Sequence, residues 1–129
     1  MSDRIKVSRI AIYAHHGLHP EEARLGQRFF VSLDCVLDLS EAARNDDWHA
    51  SVCYAELTER ATRVTLDRRF RTIEGLADAI ATDVLATFPL IDAVTVQVEK
   101  PGAPVPAIID GVMVEITRRR RVASEKAPS

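Results

Sequence analysis

Lysine is scarce in this chain: its 129 residues include only Lys6, Lys100 and Lys126, against 14 arginines. A guanidinium keeps its charge at any physiological pH, so almost none of the positive charge here can exchange a proton. Chemistry that needs a titratable cation falls to very few positions. Charge of one sign is also missing, since 17 basic and 19 acidic residues leave a formal −2, without the basic excess that a nucleic-acid partner calls for. No apolar run approaches the ~20 residues that span a bilayer, and the opening MSDRIKVSRI has no signal-peptide core. The expectation is a cytoplasmic chain with neither nucleic acid nor membrane as its partner. Its two cysteines, Cys35 and Cys53, fit no CxxC motif and no disulfide framework, so both read as reduced thiols. With 5% aromatic residues, the core must be built mainly from Val, Ile, Leu and Ala. Surface scaling buries about two-thirds of the unfolded chain's surface, one modest core with little room for a deep pocket.

The periodicities present are those of a small α+β domain. From Arg4 to Tyr13, Ile5 and Val7 alternate in one phase and Ile10 and Ile12 in the other, which predicts a strand with a bulge near Ser8-Arg9. Phe29 to Leu39 alternates cleanly as a second strand, with Val31, Leu33, Cys35, Leu37 and Leu39 on one face. The stretch between Leu39 and Ser51 reads as a polar turn region. Leu57, Ala61 and Val64 then recur at helical spacing over about Tyr54 to Asp67. Thr72 is placed to cap a second helix carrying Ile73, Leu76, Ala77, Ile80 and Val84, with Pro89 beyond its end. A third strand spans Ala93 to Lys100 and a fourth about Gly111 to Arg118, separated by the proline-punctuated loop Pro101 to Pro106. The order ββααββ implies an antiparallel four-stranded sheet with two helices on one face. One domain is expected over residues 1–118, followed by a polar, disordered tail over 119–129. An open sheet of long strands exposes two edges, and pairing them with identical copies predicts a cyclic homo-oligomer, even a closed barrel. A monomer protected by the bulge and the prolines is the alternative.

The first inter-strand segment, Ala14 to Arg28, is far longer than a hairpin needs and holds His15, His16, Gly17, His19, Glu21, Glu22, Gly26 and Gln27. His15 or His16 with His19 and Glu22 would offer metal ligands, although adjacent histidines point apart and no second ligand cluster accompanies them. Lys100 stands out more sharply. It falls in phase with Val94, Val96 and Val98 and precedes a proline; a desolvated ammonium can exchange its proton near neutrality, while a strand-end lysine snorkelling into water is the plainer reading. Tyr54 at a helix start and Glu74 in a helix's first turn also have plain readings, as a rim aromatic and as a dipole-complementing carboxylate. The Arg68-Arg69-Arg71 and Arg118 to Arg121 clusters read as solvated faces, with phosphate binding the lesser alternative.

Taken together, HHGLHPEEARLGQRFFVSLDCVLDLSEAARNDD, CYAEL, TIEGLADAIA, VEKPGAPVP and DGVMVEI closely resemble the dihydroneopterin aldolases of folate biosynthesis. The resemblance covers about residues 4–118, with Ala14-His15 where the family often has Gly-Tyr. It implies a tunnelling-fold (T-fold) subunit, tetrameric rings stacking into a homo-octamer, and pterin sites between subunits. The family's site residues match Glu22, Tyr54, Glu74 and Lys100, with backbone contacts from Ile73. The implied reaction is retro-aldol cleavage of 7,8-dihydroneopterin, with epimerisation of its side chain as a companion activity. The substrate brings its own imine as electron sink, so neither a metal nor another cofactor is implied. Lys100 would serve as general acid/base with Tyr54, while Glu74 would hold the pterin and Glu22 would position the substrate or a water. The rival readings are a dihydroneopterin triphosphate epimerase, served by Arg68, Arg69 and Arg71, an oxygenase, a zinc-dependent T-fold enzyme, and a non-catalytic pterin-binding ring.

Overall fold

The structure, a computed structural model, describes residues 3–121. Strands β1 (Asp3–Ala14), β2 (Gln27–Leu37), β3 (Ala93–Lys100) and β4 (Val112–Arg119) form one antiparallel sheet in the order β1-β2-β3-β4. Helices α3 (Tyr54–Asp67) and α4 (Ile73–Thr87) cover one face, the arrangement expected from two hairpins flanking a helix pair. Two shorter helices, α1 (Pro20–Leu25) and α2 (Ser40–Asn45), and a 3-10 turn at Trp48–Ala50 occupy the stretches expected as loop and polar turn. Neither short helix buries a residue, so neither leaves a hydrophobic stripe in the sequence.

The bulge is where the change of phase put it. Pairing of β1 with β2 shifts between Val7 and Ile10, and Arg9 turns through φ 50°. The extra residue keeps Ile5 and Val7 on the same covered face as Ile12 and Ala14. Arg9 is held there by its N–H to Ser32 Oγ at 2.9 Å, by Glu99, and by stacking on Phe30. Val31, Leu33, Cys35 and Leu37 from β2 and Val94, Val96 and Val98 from β3 pack against Leu57 and Ala61 of α3 and Leu76, Ile80 and Val84 of α4. Each such aliphatic side chain contributes about 1.5–3 kcal/mol by leaving water. Burial, with the Asp34 charge adding to it, pushes the Cys35 thiol up to about 12, which fits a packing residue; Cys53 is exposed.

Several expected strand ends shift by a residue or two, among them the start of β2 at Gln27 rather than Phe29, and two of the shifts have a visible cause. Strand β2 ends at Leu37 rather than Leu39, because Asp3 accepts the Leu39 N–H at 2.9 Å and Asp38 accepts that of Ser40, turning the chain into α2. The expected tail starts too early at 119: Arg119 pairs with Ala93 inside β4. Arg120 then donates to the carbonyls of Leu85, Phe88 and Ile91, closing the C-terminal end of α4. The rest of that expected tail, 122–129, lies outside the described residues. No helix among the described residues is long and apolar enough to cross a membrane.

Candidate active site

Gly17 begins the site. It sits at φ 146°, a conformation side chains rarely allow, and is tied on both sides, its N–H to the Phe70 carbonyl at 3.0 Å and its own carbonyl to Arg69 Nη2 at 2.9 Å. His16 locks the same junction from within the core. Its Nδ1 accepts the Phe70 N–H at 2.9 Å, so the proton is on Nε2, which donates to the Thr65 carbonyl at 2.7 Å. Burial is the main cause of a His16 pKa below the ordinary histidine value, and the ring is neutral. His15 is likewise spent on the backbone, its Nδ1 lying 2.9 Å from the Ala23 carbonyl. The paired histidines, read in sequence as possible metal ligands, thus brace a loop. No group of three metal-ligating side chains occurs among the described residues.

This bracing aims α1 at the end of β3. Glu22 reaches back to accept the His19 N–H on Oε1 at 3.2 Å, while its Oε2 receives Lys100 Nζ at 2.5 Å and Gln27 Nε2 at 3.1 Å. The Lys100 and Glu22 side chains are only 12% and 11% exposed, which makes this a largely buried pair rather than a surface one. Burial would raise the Glu22 carboxyl, but the hydrogen bonds from Lys100, the His19 backbone and Gln27 outweigh it and hold the carboxyl below its usual value. Glu22 is therefore an anion. A Cβ on Gly17 would overlap its carboxyl group, so the glycine is what lets the carboxylate lie there.

The pair floors a cleft of about 290 Å³ whose walls include Leu18, Arg71, Ile73, Glu74 and Val105. Thr72 caps α4 by accepting the Gly75 N–H at 3.0 Å, which fixes Ile73 and Glu74 at the helix N-terminus where a carboxylate is favoured. Four of the five expected site residues thus share one cleft. Tyr54 does not: it opens α3, is 71% exposed, and is absent from the cleft wall. Of the three arginines considered for a triphosphate, only Arg71 lines the cleft, since Arg69 binds Gly17 and Arg68 stacks on Phe70. Gln27 gave no functional reading in the sequence, although the signal was there. It occupies the same phase of β2 as Phe29 and Val31, a polar side chain in an apolar row, like Lys100 in β3.

A carboxylate and a lysine paired largely out of water, with a second carboxylate at a helix N-terminus on the same cleft, make a candidate acid–base site on a chain with the tunnelling fold. The chain belongs to the dihydroneopterin aldolase family, whose model (FolB, dihydroneopterin aldolase) matches residues 5–117. It is 52% identical to a dihydroneopterin aldolase of Methylorubrum extorquens over 93% of this chain and 92% of that one. A Bacillus subtilis dihydroneopterin aldolase is 38% identical over 92% and 98% of the two chains. The crystal structure of the E. coli dihydroneopterin aldolase in complex with neopterin superposes with a TM-score of 0.82 at 26% identity, covering 90% of this chain and 98% of that one.

Proposed function

We propose that this protein cleaves 7,8-dihydroneopterin by a retro-aldol reaction, giving 6-hydroxymethyl-7,8-dihydropterin and glycolaldehyde for folate synthesis in the cytoplasm. The observation that carries this reading is the Glu22–Lys100 pair on the floor of the cleft lined by Ile73 and Glu74. The neopterin complex of the E. coli relative supports a pterin as ligand.

The chemistry follows from proton transfers alone. Removing the side-chain hydroxyl proton forms the aldehyde carbonyl as the carbon–carbon bond breaks. The bond's electron pair passes into the ring imine, whose nitrogen takes up a proton to give an enamine. Protonation of the enamine carbon, with loss of the proton from the ring nitrogen, then restores the imine and completes the product, so two protons leave and two return with no oxidant or metal in the balance. Glu74 accepts paired hydrogen bonds from the pterin amino group and ring N–H, and Ile73 offers backbone contacts. Lys100 carries the proton, and Glu22 holds it in place or positions the substrate. Tyr54 comes from a neighbouring copy, because its own subunit leaves it exposed and outside the cleft. The unpaired outer edges of β1 and β4 support closure of four copies into a ring, with two rings forming an octamer.

An anaerobic assay on 7,8-dihydroneopterin tests this, air being excluded because oxygen can trap the enamine. Glycolaldehyde should appear with the wild-type chain, and Lys100→Ala should abolish its release while pterin binding persists; unchanged turnover in that variant sinks the mechanism. Side-chain inversion without cleavage would instead mark an epimerase. The single arginine at the cleft favours the unphosphorylated substrate over its triphosphate, and turnover of the two side by side decides between them.

A further inference from the structure

The Gln27 amide stands at the join between the apolar core and the ion pair. Its Nε2 donates to Glu22 Oε2, the oxygen that also receives Lys100 Nζ, so the ammonium and the amide are separated by no more than the two bonds laid end to end. The other end of the amide, Oε1, is buried and has no hydrogen-bond partner among the described residues. Flipping the amide would not help, because the end facing Glu22 must be a donor. A buried unpaired carbonyl is costly, so natural proteins leave few of them without a reason. The turn after Lys100 makes room for it: a Cβ on Gly102 would stand 3.1 Å from Oε1. An ammonium with three donors, one of them on Glu22, lies nearby.

We propose that Gln27 is a positioning residue for the proton carrier, its N–H fixing the Glu22 carboxylate and its free carbonyl oxygen serving as the second acceptor for Lys100 when the ammonium turns between Glu22 and substrate. This rests on the reading of Lys100 as the acid/base. Glu22 and Gln27 then divide the work. The carboxylate supplies the charge that keeps the ammonium in the cleft, and the neutral amide supplies an acceptor that does not hold the proton as tightly. Two carboxylates around one ammonium would hold the proton too firmly, and a carboxylate alone would leave the lysine a single resting place.

Two variants and two readouts test this. Gln27→Met keeps the length of the side chain but neither hydrogen bond; turnover should fall about tenfold while pterin affinity, which rests on Glu74 and Ile73, stays within about threefold. Gln27→Glu adds a second negative charge beside Lys100, and the alkaline limb of its kcat–pH profile should move to higher pH. The second readout needs no turnover. With only three lysines in the chain, the Lys100 ammonium signal in 15N-lysine-labelled protein is identified by its loss in Lys100→Ala, and its protons should exchange with water several times faster in Gln27→Met than in wild type. Turnover within twofold of wild type in Gln27→Met, an unmoved limb in Gln27→Glu, or unchanged exchange each overturns the proposal. A wild-type chain that exchanges slowly but releases no glycolaldehyde would refute the aldolase reading and leave the placement of Lys100 by Gln27 standing.

Discussion

Replacing Gly17 with alanine separates two roles that one glycine combines. The first is backbone freedom: at φ 146° a side chain costs about 1–3 kcal/mol in strain, whatever surrounds it. The second is space, because the new Cβ would sit under 3.0 Å from three atoms of the Glu22 carboxyl group and the carboxylate would have to leave. Leaving breaks its contacts with Lys100, Gln27 and the His19 N–H, and splitting a buried pair costs about 3–5 kcal/mol before relaxation. Glu22 lies on α1, a surface helix with no fully buried residue, so much of this should be recovered by tilting the side chain out. A coupling of about 1–3 kcal/mol between positions 17 and 22 is expected. A four-chain cycle of wild type, Gly17→Ala, Glu22→Ala and the double variant measures it by urea unfolding at one fixed protomer concentration, since assembly shifts apparent stability. Gly17→Ala should cost more in the wild-type background than in Glu22→Ala, where only backbone strain remains. Its turnover should fall about a hundredfold, the effect of misplacing a catalytic group by an ångström or so. An equal cost in both backgrounds, or turnover within twofold of wild type, would refute the account of Gly17 as the seat of Glu22.

Two further outcomes follow from the geometry. If Tyr54 acts across a subunit boundary, Tyr54→Phe and Lys100→Ala chains, each inactive alone, should regain up to about a quarter of wild-type activity when unfolded and refolded together at equal amounts, since a closed ring mixes the donors of each site at random; no recovery would place Tyr54 in its own subunit's site. His16 should make stability fall with acid: its folded pKa lies below the ordinary value of 6.5, chiefly through burial, so below about pH 6.5 the unfolded chain takes up the proton first. This contribution is complete above pH 6.5 and is lost, at up to about 1.4 kcal/mol per pH unit, as pH falls toward the folded value. Urea unfolding between pH 5 and 8 should show that slope in wild type and a flatter one in His16→Gln, and identical slopes would exclude His16 as its source.

What the sequence disclosed depended on whether an element buries a face. The helix over Tyr54–Asp67 and the start of the helix at Ile73 were readable, the first because Leu57 and Ala61 mark a stripe, the second because Thr72 caps it; its end was bounded only by Pro89. The shift between Val7 and Ile10 announced a bulge for the same reason. By contrast, α1 and α2 pack no apolar face, and their turns look like any polar loop. The site divides the same way. Lys100 was conspicuous as a polar residue in a valine row, and Gln27 sends the same signal from β2, masked by the long segment before it. From the residues alone Glu22 stood out only as a possible metal ligand, and its place beside Lys100 came through the family resemblance, because its value comes from a fold-back that Gly17 and His16 impose. The paired histidines looked like chemistry and proved to be bracing, with the ring nitrogens used by Phe70, Thr65 and Ala23.

The scarcity of lysine bears on why the pair at the cleft floor takes this form. Holding Glu22 in place requires only a cation, and arginine would do so with more hydrogen bonds and a planar fork suited to a carboxylate. In a chain with 14 arginines and three lysines, the one side chain that continues the buried valine row of β3 is nevertheless the cation able to give up its proton. The rest of the site is economical in the same sense. A subunit whose core is filled mainly by aliphatic side chains leaves little interior for a ligand, and its open cleft of about 290 Å³ stands at the lower end of the ~300–1,000 Å³ typical of small-molecule sites. The proposed assembly would add a wall from outside the subunit, which an exposed tyrosine and two open sheet edges are suited to supply. In the proposed ring, the copies that cover the sheet edges would also complete the pocket around Lys100, which would give assembly and catalysis a common cause.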